Sequence, residues 1–337
     1  MPIGLGMASS HAPGMWRKPE NWNDIWKVMP PQVTEQLPYT AKLEMESLEL
    51  RQERYERAHA AFAVLREQFQ AYDPEVLIMI GDDQADMFGE ENNPIFSVYT
   101  GDEPIWGIDV VERMNRPTMD FGDPNAPAGK RIEWTNHAEL ARYLHKGLVK
   151  RNFDVANIGR FVPRGNPKNG VSHMVANLAP EADPSRKVPL ICVFLNEYYP
   201  PLPSAERCAA LGEAIMDVMA DRPERMAIYA SGGLSHFPGE YNVGWIDNAL
   251  DKWLLERFER NDLEGLKHLF TFDSDMMRAG TGEVRAWISV AAAMKRPAKI
   301  VDYVPIHSTV TGCGFVYWPV VESPTGAPAA RTAVASA

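Results

Sequence analysis

The sequence predicts a single α/β domain with a central mixed sheet flanked by helices on both faces. Short apolar runs alternate with longer amphipathic segments, which is the pattern of strands and helices packed in layers. Several apolar runs end in polar clusters, as strands of open α/β sheets do where they carry ligand sites. We expect residues 1–322 to form this domain and the small, polar residues 323–337 to form a flexible tail.

The amino-terminal third is expected to contribute a strand, a loop and a helix. Residues 3–10 predict a first strand that leads into a loop at His11. The segment 13–38 is rich in Trp and Pro and too irregular for a regular element. A long amphipathic helix is predicted over 43–71, and Pro74 ends it.

The middle of the chain repeats this alternation. The apolar, branched run 76–80 predicts a buried strand that ends in residues 81–84, Gly-Asp-Asp-Gln. A helix is predicted over 137–151, followed by a strand at 153–157. Residues 188–195 form a strongly apolar run that predicts another strand, ending at Asn196.

The last part is predicted to alternate in the same way. A helix over 205–220 precedes a strand at 226–231, which ends in Gly-Gly-Leu-Ser-His. A helical stretch over 244–270 and a helix from about Glu283 to Met294 follow, and a terminal β segment spans 300–318. No stretch resembles an interdomain linker.

Composition excludes several classes of protein. The formal net charge of -11 and the pI near 5.3 argue against nucleic-acid binding, which requires clustered Lys and Arg. No run approaches the ~20 apolar residues of a membrane span, and no signal peptide is evident at the amino terminus. Three scattered cysteines fit neither a disulfide framework nor a thiolate zinc site. We therefore expect a cytoplasmic protein.

The candidate catalytic side chains occur where predicted strands end or helices begin. Histidines and a carboxylate that converge on one sheet edge match the 2-His-1-carboxylate pattern of non-haem Fe(II) oxygenases, which leaves positions open for substrate and O2. Purely structural interpretations are also open. Glu283 at the start of a helix would interact favourably with the positive end of the helix dipole, and Asp82 and Asp83 could form a turn. The candidates are His11, Asp82, Asp83, Gln84, His173, His236 and Glu283.

Taken together, ordered blocks of sequence resemble the class III extradiol ring-cleavage dioxygenases, the family of the catalytic beta subunit of protocatechuate 4,5-dioxygenase. Residues 9–13, Ser-Ser-His-Ala-Pro, look like the family's amino-terminal metal motif. The stretches 187–196 and 201–215 are very similar to its long central signature. Residues 231–236 and 282–288 correspond to the two remaining catalytic blocks.

The resemblance implies a role for each matching residue. His11 and Glu283 would be ligands of an Fe(2+) cofactor. His236 would be the acid–base residue, since an imidazole exchanges protons near neutral pH. His173 would line the pocket for substrate and O2.

One position departs from the family pattern, because Gln84 stands where a second metal-binding histidine is expected. Three interpretations follow. Gln84, or a neighbouring Asp, completes the site through an oxygen atom; another histidine does so, with His307 first and His59 next; or the site holds metal poorly and oxygenase chemistry is lost. We favour an active enzyme with an altered ligand set.

The expected reaction is insertion of both atoms of O2 into a catechol-like ring, such as a protocatechuate or gallate derivative or a hydroxypyridone. Substrate contacts are expected from Asn196, His307 and Arg17, with Lys18 as a second candidate to pair with a carboxylate. The segment 13–38 is a candidate lid. The expected partners are the small aromatic substrate and O2, with no nucleic acid and no membrane, and the family suggests a homodimer.

Two other classes of function remain open at this stage. One is a metal-binding relative without oxygenase activity that serves in signalling or as a scaffold, which the change at Gln84 keeps possible. The other is a zinc-dependent hydrolytic enzyme, which metal analysis would separate from an oxygenase because zinc has no redox chemistry.

Overall fold

The computed structural model describes residues 2–27, 46–116, 129–164, 172–237, 242–272 and 274–321. The predicted tail at 323–337 and residues 28–38 of the predicted lid lie outside these ranges. So does the side chain of His173, whose backbone belongs to a π-helical segment, Ser172–Leu178.

The strands and helices alternate as predicted. The strands are β1 (Ile3–Ser9), β2 (Val76–Gly81), β3 (Phe96–Tyr99), β4 (Ile105–Ile108), β5 (Arg131–Trp134), β6 (Val155–Ile158), β7 (Leu190–Leu195), β8 (Met226–Ser231), β9 (Lys299–Ile306) and β10 (Thr311–Trp318). The helices are α1 (Asp24–Lys27), α2 (Leu48–Tyr72), α3 (Val110–Met114), α4 (Ala138–Val149), α5 (Ala179–Ala182), α6 (Ala205–Met219), α7 (Asn248–Glu259), α8 (Leu263–Lys267), α9 (Ala279–Gly282) and α10 (Val284–Met294).

Eight strands form one mixed sheet in the order β6-β3-β7-β2-β8-β1-β10-β9, while β4 and β5 pair separately. The four central strands β7, β2, β8 and β1 are parallel to one another. Strand β3 runs antiparallel to β7, and β10 runs antiparallel to β1 and β9. The single domain with a mixed sheet is confirmed.

Both faces of the sheet are buried, as a continuous apolar strand such as β2 requires. Its residues Val76, Ile78 and Ile80 face one core, which α4, α6, α7 and α10 complete. Leu77 and Met79 face a second core, to which α2 and the π-helical segment contribute. The prediction of helices on both faces is therefore confirmed.

Two predicted elements are each divided in the structure. The helical stretch over 244–270 is two helices, because Asn261 takes a left-handed backbone conformation and the Asp262 side chain caps the start of α8. The β segment over 300–318 is an antiparallel pair, joined by a short 3-10 turn at His307–Thr309. Strands β3, β4 and β5, of four residues each, were not predicted, whereas β6 of the same length was predicted because it follows a recognisable amphipathic helix.

No helix within the described ranges is long and apolar enough to span a membrane.

The topology brings the predicted site together. Parallel strands end at the same edge of a sheet, so the residues after β1, β2, β7 and β8 are neighbours. His11 follows β1, Gln84 follows β2 and His236 follows β8. Glu283 lies between α9 and α10, which pack against this edge.

Candidate active site

Glu283 is the centre of the cluster and is fully buried. Its Oε1 accepts hydrogen bonds from the Gln84 amide nitrogen at 2.6 Å and from the Tyr198 hydroxyl at 2.7 Å. Its Oε2 accepts a hydrogen bond from the Gly233 backbone N–H. Both carboxylate oxygens therefore face groups of the candidate site.

His11 faces the same carboxylate from β1. Its Nδ1 is 2.8 Å from the Ser231 hydroxyl, which fixes the ring. Its Nε2 lies 3.5 Å from Glu283 Oε1 and 3.4 Å from the Gln84 amide nitrogen. A ligating histidine characteristically has its second ring nitrogen held by such a partner.

The loop after β8 depends on glycine. Gly232 and Gly233 have φ angles of 116° and 64°, which L side chains rarely adopt. A Cβ at Gly232 would lie 2.6 Å from Glu283 Oε2. The Trp287 indole N–H donates to the Gly232 carbonyl at 2.8 Å and holds the loop against α10.

His236 ends this loop and is almost fully buried. Its Nδ1 is 2.9 Å from the Leu234 carbonyl, which can only accept, so Nδ1 carries a proton. Its Nε2 lies 4.0 Å from Glu283 Oε2. In the neutral ring, this Nε2 is the nitrogen available to accept a proton.

Charge favours an ionised Glu283. Burial alone would raise the pKa of this carboxyl, but the adjacent imidazoles of His11 and His236 and the hydrogen bonds to the carboxylate outweigh it. Together they hold the pKa of Glu283 well below its usual range.

Two further buried acids, Asp82 and Glu197, lie beside the cluster and behave differently. Burial, followed by the charge of Asp83, raises the pKa of Asp82 well above its usual range. Burial, followed by the charge of Asp82, does the same to the pKa of Glu197. The Asp82 carboxylate accepts backbone N–H bonds from Gln84 at 2.6 Å and from Glu197 at 3.3 Å.

The Asp83 side chain stabilises the turn that follows β2. One of its oxygens accepts the backbone N–H groups of Met87 at 2.7 Å and Phe88 at 2.9 Å. The geometry thus favours Gln84, rather than either neighbouring Asp, as the side chain that faces His11 and Glu283.

The two alternative histidines make contacts elsewhere. His59 has its Nε2 3.2 Å from the Met15 carbonyl and its ring centroid 4.1 Å from that of Tyr55. The His307 backbone N–H donates to Glu46 at 2.8 Å, and burial followed by the charge of Arg54 lowers the pKa of its ring. Among the described residues, no hydrogen bond or ion pair joins either histidine to Gln84 or Glu283, whereas His11 and His236 both lie within 4.0 Å of Glu283.

Two predicted substrate contacts have structural roles instead. Arg17 is buried, and its guanidinium donates to the Met114 carbonyl at 2.5 Å and to Asp24 at 2.8 Å. The Asn196 side chain donates to the Tyr199 carbonyl at 2.6 Å and accepts the Tyr199 N–H at 3.0 Å, which closes its own loop. Because these bonds occupy both side chains, the geometry does not support direct substrate contacts from them.

The donor set fits a divalent cation only with a contribution from an amide. Over the described ranges, no group of three His, Cys, Asp or Glu side chains could hold a metal ion. His11 Nε2 and Glu283 Oε1 suit such an ion, and their 3.5 Å separation is near that of adjacent ligands. The third member is Gln84, whose amide oxygen is a possible metal donor.

Sequence reasoning missed Tyr198, which lies three residues beyond β7 and donates directly to Glu283. The signal was present, because polar residues after a central parallel strand belong to the same edge as His11 and His236. Asn196 was chosen from this stretch instead.

A family model matches most of the chain. The model for the catalytic LigB subunit of aromatic ring-opening dioxygenase matches residues 44–317, which is most of the chain. The chain belongs to the LigB family. Glu283, His236 and Gln84 lie inside the matched range, and His11 precedes it.

Two curated relatives of this LigB-family chain are each named 2,3-dihydroxyphenylpropionate/2,3-dihydroxicinnamic acid 1,2-dioxygenase. The protein from Burkholderia vietnamiensis is 26% identical over 190 residues, which are 56% of this chain and 52% of that protein. The protein from Comamonas testosteroni is 29% identical over 180 residues, or 53% of this chain and 48% of that one. The matched stretch thus spans about half the length of these relatives.

A solved structure of an uncharacterized Escherichia coli K12 protein aligns with a TM-score of 0.44 and 11% identity, over 93% of this chain and 99% of that one.

Proposed function

We propose that this LigB-family chain is a non-haem Fe(II)-dependent extradiol dioxygenase that opens the ring of a catechol-like aromatic with both atoms of O2. The observation that carries the proposal is the placement of Glu283 between His11 and His236, with one carboxylate oxygen toward each. Family membership and the names of the curated relatives support the same reaction class.

The ion would be held by His11 Nε2, Glu283 and the amide oxygen of Gln84. The Gln84 amide would have to turn over, because its nitrogen now faces Glu283 Oε1. A ferrous ion at this place would supply open coordination positions for the substrate and O2 and would conduct electron density from the ring to O2.

The remaining chemistry belongs to the protein. His236 Nε2 has no proton in the neutral ring, since Nδ1 donates to the Leu234 carbonyl. It therefore takes the proton of a substrate hydroxyl and returns it later in the reaction. The Gly233 N–H and Tyr198 hydroxyl hold Glu283 in place, and burial of His11, His236 and Glu283 excludes water from one side.

The substrate is proposed to be a ring with vicinal hydroxyl groups, such as a protocatechuate or gallate derivative, a dihydroxyphenyl-alkanoate or a hydroxypyridone. Gln84 and Tyr198 are only half-buried, unlike His11, His236 and Glu283, so we propose that the ring approaches past these two side chains. In that position, one hydroxyl group of the ring would contact His236.

The test is anaerobic reconstitution with Fe(II), followed by O2 uptake against a panel of these compounds. Uptake with a coloured ring-opened product is expected. His236→Ala should abolish turnover and keep its iron, whereas His11→Ala and Glu283→Ala should lose the iron. Full iron content and activity in His11→Ala would refute the site.

A second candidate, a relative whose site holds metal poorly and whose oxygenase chemistry is lost, is favoured by one specific observation. The Gln84 amide already donates to Glu283 Oε1, in the place of a cation. Failure to bind Fe(II), Co(II) or Zn(II) at the site in dialysis would favour this second function over the first.

A further inference from the structure

A buried carboxylate, Asp251, lies behind the loop that carries His236. It comes from α7 and its side chain has no exposed surface. Its Oδ1 accepts the backbone N–H of Ser235 at 3.0 Å, and its Oδ2 accepts the Ser235 hydroxyl at 2.8 Å. Because Ser235 immediately precedes His236, the carboxylate holds the peptide from which the imidazole projects.

Neighbouring groups hold this carboxylate and Ser235 together. The Tyr303 hydroxyl, from β9, lies 2.7 Å from Asp251 Oδ2 and donates to it. The backbone N–H of Asp247 donates to the Ser235 hydroxyl oxygen at 2.8 Å. A Cβ at Gly312 would overlap Asp251 Oδ2, so β10 passes directly against the acid.

The other side of the loop is equally constrained. Gly312 donates its N–H to the Ser235 carbonyl at 3.0 Å, and Gly280 donates its N–H to the His236 carbonyl at 2.9 Å. A Cβ at Gly280 would overlap the His236 ring. The backbone that carries the imidazole is therefore held by β10 and α9 on one side and by Asp251 on the other, and α9 packs against the ring itself.

We propose that Asp251 is a positioning residue for His236, which it keeps aimed with Nε2 toward Glu283 by clamping Ser235. The proposal rests on the proposed function, in which His236 is the acid–base residue. Burying a carboxylate costs free energy, and burial raises the pKa of Asp251 to about 7. Ser235 donates both its backbone N–H and its hydroxyl to Asp251, and an apolar residue at position 251 could accept neither hydrogen bond.

The test is Asp251→Asn, which keeps the shape and one acceptor oxygen. Glu256→Gln, exposed on α7 in a pair with Arg260, is the matched control. Two properties are measured: the pH titration of the His236 imidazole by NMR in the metal-free protein, and kcat, KM and metal affinity after reconstitution.

Asp251→Asn should shift the His236 titration and lower kcat by about 10- to 100-fold, with KM and metal affinity little changed. Glu256→Gln should behave as wild type in every measurement. A wild-type His236 titration and kcat in Asp251→Asn would overturn the proposal.

Two outcomes separate this proposal from the proposed function. If the wild type consumes no O2 but Asp251→Asn still shifts the His236 titration, the positioning role stands and the oxygenase does not. If Asp251→Asn does not fold, Ser235→Ala and Tyr303→Phe each remove one donor to the acid. A smaller shift of the same titration is expected from each, and wild-type titrations in both would refute the role.

Discussion

Replacement of Gln84 by histidine should convert a weak metal site into a strong one. In the metal-free protein the Gln84 amide nitrogen donates to Glu283 Oε1 at 2.6 Å and faces His11 Nε2 at 3.4 Å. It thus lies where an ion would contact both ligands. The backbone of Gln84 has a φ of 54°, a left-handed conformation in which histidine is among the better tolerated residues.

The magnitude follows from the bond that an ion must break. A hydrogen bond to a charged group contributes about 1.5–3 kcal/mol to stability. At 1.4 kcal/mol for each factor of ten, displacing the Gln84 amide from Glu283 costs about 10- to 150-fold in metal affinity. Gln84→His removes this competing donor and adds an imidazole ligand, so its affinity should exceed that of the wild type by at least this factor.

The measurement is the dissociation constant for Co(II) or Zn(II), by equilibrium dialysis or calorimetry, with anaerobic Fe(II) as the third ion. Gln52→His is the matched control, because Gln52 is exposed on α2 and its amide donates only to Glu56 among the bonds described for it. Its affinity should equal that of the wild type. Equal or weaker binding in Gln84→His would show that the amide does not occupy the position of the ion.

Three further predictions concern the groups around Glu283 and His236. Gly280→Ala should lower kcat severely while metal content stays at the wild-type level, because the new methyl group overlaps the His236 ring. Metal analysis and O2 uptake measure the two effects, and loss of metal would contradict the prediction. Tyr198→Phe should weaken metal binding by about tenfold, since it removes a hydrogen bond that orients a ligand; unchanged calorimetric affinity would refute that role. Asp251 has a folded pKa of about 7 against a usual 3.8, so its proton is held more tightly in the folded state. The stability it provides when protonated is therefore lost as pH rises from about 4 to 7, by about 4 kcal/mol in total. Asp251→Asn should lack this loss in denaturant unfolding, and parallel pH profiles for the two proteins would contradict it.

The sequence was informative wherever a strand was long and apolar. Strands β2, β7 and β8 were predicted within two residues, and the rule that parallel strands share a carboxyl edge then brought His11, Gln84 and His236 together. What it could not supply was the direction of side chains in loops. Asn196 and Tyr198 follow the same strand, yet the first closes its own loop and the second reaches Glu283.

The hydrogen bonds of Arg17 illustrate the same limit. A cation in a Trp-rich loop suggests ligand binding, but its guanidinium is occupied by the Met114 carbonyl and Asp24. Only tertiary contacts nearly 100 positions away in the chain reveal that role. The choice of Gln84 over His59 and His307 likewise needed the folded chain, because all three are polar side chains of suitable reach.

Glu283 contacts His11 and Gln84 through one carboxylate oxygen and faces His236 through the other. Moving its negative charge to position 84 should therefore separate its effect on stability from its effect on His236. In Glu283→Gln, the oxygen must remain toward the Gly233 N–H, so the new amide nitrogen would oppose the Tyr198 hydroxyl donor even after the Gln84 amide had turned over to accept from it. Such an unpaired buried donor costs about 1–3 kcal/mol of stability. Adding Gln84→Glu supplies an acceptor again, so the double variant should recover most of that stability in denaturant unfolding.

The recovered pair would nevertheless place the charge on the loop after β2, away from Gly233 and His236. We therefore expect the double variant to fold well and to give an altered His236 titration by NMR, as the single variant does. If the double variant restored the wild-type titration as well as the stability, the position of the charge would not matter to His236. The two carboxylate oxygens of Glu283 would then not have the separate roles argued from their contacts.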